Sequence, residues 1–171
     1  MADSDAGGVI LPDAILSVAA DVLAALKTAG LRVVTAESCT GGLVAGALTY
    51  HAGSSSSVVG GFVTYSNAMK QACLGVSAAV LAQRGAVSET VALAMATGAL
   101  LAGTDADVAV AVTGIAGPDG GSAEKPVGLV WFGVIRRGQK ARAERHVFSG
   151  DRTSVRAQAA EHALKMVMTV I

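Results

Sequence analysis

Four residues with reactive or charged side chains follow an apolar run, because the segment "VVTAESCTGG" places Glu37, Ser38, Cys39 and Thr40 directly before two glycines. A strand that turns into a helix here would expose side-chain oxygens beside the free amides of the helix N-terminus. Such a turn can bind a phosphate, stabilise an oxyanion, or merely cap the helix through Ser38 or Thr40. The spacing alone leaves these alternatives open.

A serine nucleophile needs a base, and the histidines are poorly placed to supply one. His51, His146 and His162 fall in a helix end, a late strand and the final helix, and no G-x-S-x-G elbow is present. Lys70, which follows "TYSNAM", is the remaining option. A lysine can accept a proton only if burial or nearby positive charge lowers its pKa from about 10.4. The alternative is an ordinary solvated lysine.

Two further side chains near these positions could take part. Cys39 could itself be the nucleophile, but without a neighbouring histidine a small buried apolar role is favoured. Tyr65 could donate a proton or orient the lysine, or it could simply pack. The loop "GIAGPDGG" has no G-K-[ST] ending and is not a G-x-G-x-x-G fingerprint, so neither a P-loop nor a dinucleotide site is indicated.

The composition excludes several classes of protein. Among 171 residues, 13 basic and 13 acidic side chains cancel, so no global field favours nucleic acid or an anionic membrane. Cys39 and Cys73 form no C-x-x-C pair and have no histidine at ligand spacing, which argues against a structural zinc site and gives no disulfide framework. The acidic opening "MADSDAGGVI" does not resemble a signal peptide. A cytoplasmic protein is therefore expected.

Helical and strand patterns alternate along the chain and predict a three-layer α/β/α sandwich. The sheet is expected to be mixed, mostly parallel and of about five strands, within a single domain spanning residues 1–171, of which 1–10 are expected to be flexible. Asp13, Asn67 and Ser88 are the expected helix caps. Helices are predicted at 13–26, 40–53, 67–75, 86–103 and 151–171, and strands at 31–37, 58–66, 106–114, 127–135 and 141–149.

Three polar stretches follow predicted strands, at residues 37–42, 64–70 and 113–125. Ligands of open α/β sheets bind at the carboxyl ends of strands. We therefore expect the three stretches to meet in one cleft.

Several of these segments, in this order, resemble the CinA C-terminal domain family of nicotinamide mononucleotide amidases. The matching words are "TAESCTGG", "AGSS", "GGFVTYSNAMK", "GAVSE", "VTGIAGPDGGSAEKPVGLVWFG" and "GDR", between about Val33 and Arg152. The resemblance implies an α/β/α fold and a protein that is usually oligomeric. It also implies hydrolysis of the carboxamide of nicotinamide mononucleotide to nicotinate mononucleotide and ammonia by a Ser/Lys pair, without metal or cofactor.

The resemblance assigns a role to each matching position. Ser38 matches the nucleophile and Lys70 the general base. The supporting positions are Ser55 and Tyr65 for the proton relay, and Gly41, Gly42, Thr113, Gly114 and Arg152 for the substrate. The serine run continues to Ser57, which leaves open which serine assists. Longer CinA proteins carry a preceding domain that has no counterpart in this sequence, so a stand-alone enzyme is expected.

The sequence is also compatible with two rival functions. A nucleotide-binding module without catalysis would bind the substrate and release no ammonia. A hydrolase of another small amide would use the same nucleophile with a different pocket preference. In every case the expected partner is a small molecule, with a homo-oligomer as the expected assembly.

Overall fold

The computed structural model describes residues 11–171, so the expectation of a flexible segment at 1–10 lies outside the described residues. The described part contains six α-helices and five strands. The strands are β1 Val33–Glu37, β2 Val58–Val63, β3 Val108–Gly114, β4 Leu129–Arg136 and β5 Arg142–Val147. The helices are α1 Asp13–Ala29, α2 Leu43–Tyr50, α3 Asn67–Leu74, α4 Ala78–Arg84, α5 Glu89–Ala102 and α6 Arg152–Met168.

The five strands form one sheet in the order β2-β1-β3-β4-β5. β1 pairs in parallel with both β2 and β3, whereas β4 is antiparallel to β3 and to β5. Four strands therefore point the same way and β4 runs against them. Glu37, the last residue of β1, lies beside Val63 of β2 and Val112 of β3. The carboxyl ends of these three strands thus meet at one edge of the sheet.

Helices cover both faces of the sheet, which confirms the three-layer α/β/α prediction. Helices α1, α2 and α6 pack on one face, where Val110 and Phe132 are buried. Helices α3, α4 and α5 pack on the other face, against Ala36 and Ala109. Strands β1 and β3 are buried on both faces, which explains their near-continuous apolar sequences. No helix in the described part of the chain has the length and hydropathy needed to cross a membrane.

Two of the three predicted helix caps differ from those in the structure. Pro12 is the N-cap of α1 and no side chain caps it, so Asp13 lies inside the first turn instead. Ser66, not Asn67, caps α3, because its hydroxyl accepts from the amide of Met69 at 3.2 Å. Ser88 is confirmed as the cap of α5. Helix α4 was not predicted; it has only seven residues, too few to show a clear apolar period.

Candidate active site

Ser38 is the first residue after β1, on the turn into α2. Its amide donates to the carbonyl of Val112 at 2.9 Å, which keeps the turn in line with β3. Gly41 and Gly42 follow with φ values of 62° and 98°, in the left-handed region that favours glycine. The two glycines therefore let the chain reverse sharply between the strand and the helix.

Glu37 fixes this turn from within the protein. Its side chain is 1% exposed, and its carboxylate accepts from the amides of Gly42, Val44 and Ala45 at 3.0, 3.1 and 2.8 Å. These are amides at the start of α2, which have no acceptor within the helix. A carboxylate also interacts favourably with the positive end of the helix dipole. Gly42 is the N-cap residue of α2, and Glu37, at the end of the preceding strand, supplies the carboxylate that accepts from the first amides of the helix.

Lys70 lies on α3, which follows β2, and its side chain contacts Ser38. Its Nζ lies 2.9 Å from Ser38 Oγ and donates to the carbonyls of Thr64 at 2.8 Å and Tyr65 at 3.3 Å. An ammonium has three hydrogens, whereas a neutral amine has two and one lone pair. The neutral amine can keep both carbonyl bonds and turn its lone pair towards Ser38. This geometry is the one that a lysine base for a serine nucleophile requires.

The surroundings of Lys70 favour its neutral form. The side chain is 1% exposed, and burial lowers the pKa of Lys70 from its usual value, since desolvation penalises the ammonium. None of the ion pairs among residues 11–171 includes Lys70. A buried lysine without a carboxylate partner loses its proton more readily than a solvated one, as general-base chemistry demands.

A cavity of about 290 Å³ opens above this pair. This volume is at the lower end of the range of about 300–1,000 Å³ that is typical of small-molecule sites. Six of the nine residues assigned from the family resemblance line it: Ser38, Tyr65, Lys70, Thr113, Gly114 and Arg152. The three polar stretches at the strand ends therefore meet in one cleft, as the sequence pattern indicates.

Arg152 supplies positive charge at this cavity. It is the first residue of α6 and donates to the carbonyl of Gly117 at 2.9 Å and to the Tyr65 hydroxyl at 3.1 Å. These two bonds use part of a guanidinium that carries five N–H donors. The remaining donors can bind an anionic group, for which the planar fork is well suited.

Thr113 and Gly114 end β3 in the wall of the cavity. The Thr113 hydroxyl is buried and donates to the carbonyl of Ala86 at 2.9 Å, so it ties the β3 end to the segment before α5. A Cβ at Gly114 would lie 2.7 Å from a methyl of Val130 and 2.8 Å from the Leu129 carbonyl. A larger residue at Gly114 would therefore push β3 and β4 apart.

Three residues assigned from the family resemblance are not brought to the cavity. Ser55 lies in a 3₁₀ turn, Ser54–Ser56, before β2, at the opposite end of that strand from Lys70. Gly41 and Gly42 do not line the cavity, and their amides donate to Ser38 O and to Glu37. In this structure the two glycines shape the turn, and a contact between them and the substrate stays a prediction.

Other residues of the site were not assigned individual roles from the sequence. The loop after β3 forms a wall of the cavity through Ile115, Ala116, Gly117, Asp119 and Gly120, opposite Ala86 and Val87. Arg156 of α6 holds the nucleophile turn by donating to the carbonyls of Cys39 and Thr40 at 3.1 and 3.0 Å. The Gly/Pro composition of the loop was a usable signal, whereas Arg156 sits in an ordinary helical pattern.

Cys39 is the competing nucleophile, and its environment does not favour one. It is 5% exposed, and burial raises the pKa of the Cys39 thiol to about 11. A reactive cysteine needs a lowered pKa, because the thiolate is the nucleophile. We expect Cys39→Ala to keep most of the activity, within a few-fold of the parent enzyme. Complete loss of turnover in folded Cys39→Ala protein would reopen the thiol mechanism.

The fold places a buried serine and a buried lysine in hydrogen-bond contact beneath a cavity at the carboxyl edge of an α/β sheet, an arrangement that suits a hydrolase with a serine nucleophile and a lysine base. Comparison with known proteins identifies the family. Residues 15–171 match the family model described as "CinA C-terminal domain". The chain belongs to the CinA C-terminal domain family.

Individual relatives cover most of the chain. It is 56% identical over 148 residues to a nicotinamide-nucleotide amidohydrolase PncC of Enterobacter agglomerans, covering 86% of this chain and 90% of that protein. It is 55% identical over 141 residues to the protein of the same name from Escherichia coli K12, covering 82% and 85%. A crystal structure of competence/damage inducible protein CihA from Agrobacterium tumefaciens aligns with a TM-score of 0.91 at 46% identity, covering 95% and 99%.

Proposed function

We propose that this protein is a nicotinamide-nucleotide amidohydrolase, which converts nicotinamide mononucleotide and water to nicotinate mononucleotide and ammonia. The observation that carries the proposal is the 2.9 Å contact between Lys70 Nζ and Ser38 Oγ under the cavity. The names of its close relatives support the choice of substrate. The same reaction fits a role in recycling pyridine nucleotides.

The chemistry follows from the positions of the two side chains. Ser38 Oγ attacks the carboxamide carbon while neutral Lys70 takes the hydroxyl proton. The lysine then gives this proton to the departing nitrogen, so ammonia leaves and an ester to Ser38 remains. A water molecule, activated by the regenerated amine, cleaves the ester and restores the serine. One proton acceptor thus serves both halves of the reaction.

The negative charge that develops on the carbonyl oxygen needs donors beside Ser38. Among the amides from Ser38 to Ala45, most already have acceptors within the turn and helix. The amides of Cys39 and Thr40 have none among the backbone and carboxylate acceptors of the turn. Cys39, which also lines the cavity, directly follows the nucleophile, where an oxyanion donor is expected. We assign the oxyanion contact to its amide.

Arg152 is the proposed partner of the substrate phosphate. We expect Arg152→Met to raise KM about 10- to 100-fold, since a charge-assisted hydrogen bond is worth about 1.5–3 kcal/mol. The kcat should change less, because the phosphate is remote from the amide. Steady-state kinetics with nicotinamide mononucleotide measure both constants.

Two controls make the Arg152 test specific. Arg145→Met removes an exposed arginine of β5 and should leave KM unchanged. Nicotinamide riboside has the amide and lacks the phosphate, so any hydrolysis of it should be insensitive to Arg152→Met. An equal loss on both substrates would contradict a phosphate contact and indicate that Arg152 only holds Tyr65 and Gly117 in place.

Ammonia release from nicotinamide mononucleotide tests the function directly. The proposal expects stoichiometric ammonia and nicotinate mononucleotide. Binding of the substrate without ammonia release would favour the non-catalytic nucleotide-binding module. Faster release from a different member of a panel of small amides would favour another amide as substrate.

The Ser/Lys mechanism assigns no step to a metal ion or other cofactor. The cavity offers Cys39 and Asp119 as its only potential metal ligands among the residues that line it. Dialysis against a strong chelator should therefore leave kcat and KM unchanged. A loss of rate that zinc or magnesium restores would contradict the metal-free mechanism.

The assembly and the compartment stay predictions. We expect a homo-oligomer that acts in the cytoplasm on a small-molecule substrate, without nucleic acid or membrane partners. Sedimentation velocity of the purified protein measures the first of these, and a monomer at micromolar concentration would contradict it.

A further inference from the structure

Three side chains away from Ser38 bring metal-binding atoms together at the edge of the sheet. Glu144 and His146 are two residues apart on β5 and so share a face of the strand, and His162 of α6 packs against that face. One ligand atom from each residue lies within 4.8 Å of the others. We propose that this cluster, Glu144, His146 and His162, binds a late first-row divalent cation such as Zn²⁺ or Ni²⁺.

The distances in the cluster are close to those of a metal site. Glu144 Oε2 lies 2.9 Å from His162 Nε2 and 3.4 Å from His146 Nε2. Bonds from zinc to nitrogen and oxygen are about 2.0–2.2 Å, which places tetrahedral ligand atoms about 3.3 Å apart. Small side-chain movements would therefore admit an ion. Two imidazoles and one carboxylate suit zinc, nickel or copper, whereas calcium and magnesium prefer oxygen ligands alone.

Aromatic contacts hold the two imidazoles in place. The His146 ring stacks on Phe148, with centroids 5.6 Å apart and an interplanar angle of 10°. The His162 ring packs on Phe132 with centroids 4.6 Å apart. Rings fixed in this way lose little conformational freedom when an ion binds, and the fixed positions favour affinity.

The cluster is also accessible to solvent, and the positive charge of the nearby lysine is balanced. The side chains of Glu144, His146 and His162 are 46%, 39% and 22% exposed, so an ion can enter and water can complete its coordination. Lys165, the nearby cation on α6, is paired with Glu161 at 2.6 Å. His162 follows Arg152 by ten residues, or about 15 Å along α6, so the cluster is separate from the Ser38 chemistry.

Titration calorimetry of the tag-free protein with zinc chloride and nickel chloride tests the proposal. We expect one ion per chain, and at least tenfold weaker binding in His146→Gln and in His162→Gln. His51→Gln and Cys73→Ser are matched controls, because both residues lie outside the cluster and can bind metal on their own. Circular dichroism confirms that each variant is folded.

A second readout does not depend on affinity alone. Zinc should raise the melting temperature of the parent protein by several degrees and leave that of His146→Gln unchanged, because an ion that binds only the folded state stabilises it. Cobalt should give a visible spectrum of low-symmetry nitrogen and oxygen ligation that His162→Gln lacks. The absence of stoichiometric binding would show that the three residues form only an ion-pair cluster. Unchanged binding in both histidine variants would place the ion elsewhere, and either result overturns the proposal.

Discussion

Ser38→Ala is expected to lower kcat for nicotinamide mononucleotide by at least about a thousandfold, in line with the loss of a catalytic nucleophile elsewhere. The substitution removes one oxygen from a side chain that is 8% exposed and leaves the backbone contact with Val112 intact. The melting temperature should therefore stay within a few degrees, and substrate should still bind. Ammonia release and calorimetric titration with substrate measure the two effects separately.

The matched control for this prediction is Ser77→Ala. Ser77 is exposed, lies before α4 and makes no capping hydrogen bond through its side chain, so its removal should not change the rate. Trapping adds a test of the covalent step: with hydroxylamine present, the parent enzyme should form the hydroxamate of nicotinate mononucleotide from the acyl-enzyme. Near-normal ammonia release from folded Ser38→Ala protein would exclude Ser38 as the nucleophile.

The strands that position Ser38 were largely predictable from the sequence. β1 and β3 are apolar runs bounded by glycines and polar residues. β1 is followed by Ser38 and β3 by a loop, and both line the cavity. Parallel strands place such carboxyl ends at one edge, so Ser38 and Thr113 could be expected to meet before their partners were known. The identities of nucleophile and base, by contrast, came from the family resemblance.

The sequence could not show how the turn after β1 is held together. Glu37 is adjacent to Ser38, but its carboxylate binds amides five to eight residues later, which requires knowledge of where α2 begins. Arg156 binds the carbonyl of Cys39 across a separation of 117 residues. Contacts of this kind depend on how α6 packs on the sheet, and periodicity carries no information about that packing.

The position of Ser55 illustrates a different limit. The motif "AGSS" assigns it to the proton relay, yet the structure places it at the amino end of β2, whereas Lys70 follows the carboxyl end. A strand of six residues spans about 20 Å, which no serine side chain can bridge. Within one chain, therefore, Ser55 does not contact Lys70, and the proposed relay of Ser38 and Lys70, with Tyr65 at the cavity, stays a prediction.

The charge of Lys70 decides whether this mechanism works. Because burial lowers the pKa of Lys70, the rate should rise with pH through that lowered value, as the amine gains the lone pair that accepts the serine proton. Lys70→Met keeps the apolar stem and removes the amine, and should lower kcat by about 100- to 10,000-fold, the usual contribution of a general base. Lys140→Met, at an exposed loop position, is the control and should keep the parent profile.

The same shift predicts how stability depends on pH. A lysine whose pKa is lowered on folding binds its proton more weakly in the folded state than in the unfolded state, where the value is about 10.4. The contribution of Lys70 to the free energy of unfolding should therefore fall as pH decreases below the unfolded pKa, and level off below the folded pKa. Urea unfolding of the parent and of Lys70→Met, measured between the folded and the unfolded pKa of Lys70, gives this contribution as a difference in the free energy of unfolding. The pH-dependent part of that difference should vanish as the pH approaches the unfolded pKa.

Lys70→Arg separates the role of base from that of positive charge. A guanidinium stays protonated at all working pH values, so an arginine at this position can donate to Ser38 Oγ and to the carbonyl of Thr64 but cannot accept a proton. We expect Lys70→Arg to be as inactive as Lys70→Met, at every pH at which the protein stays folded. Substantial activity in Lys70→Arg, with a flat pH profile, would mean that Lys70 only stabilises negative charge. In that case the proton acceptor for Ser38 must be another group in the cavity, and Tyr65, held by Arg152, would be the first residue to substitute.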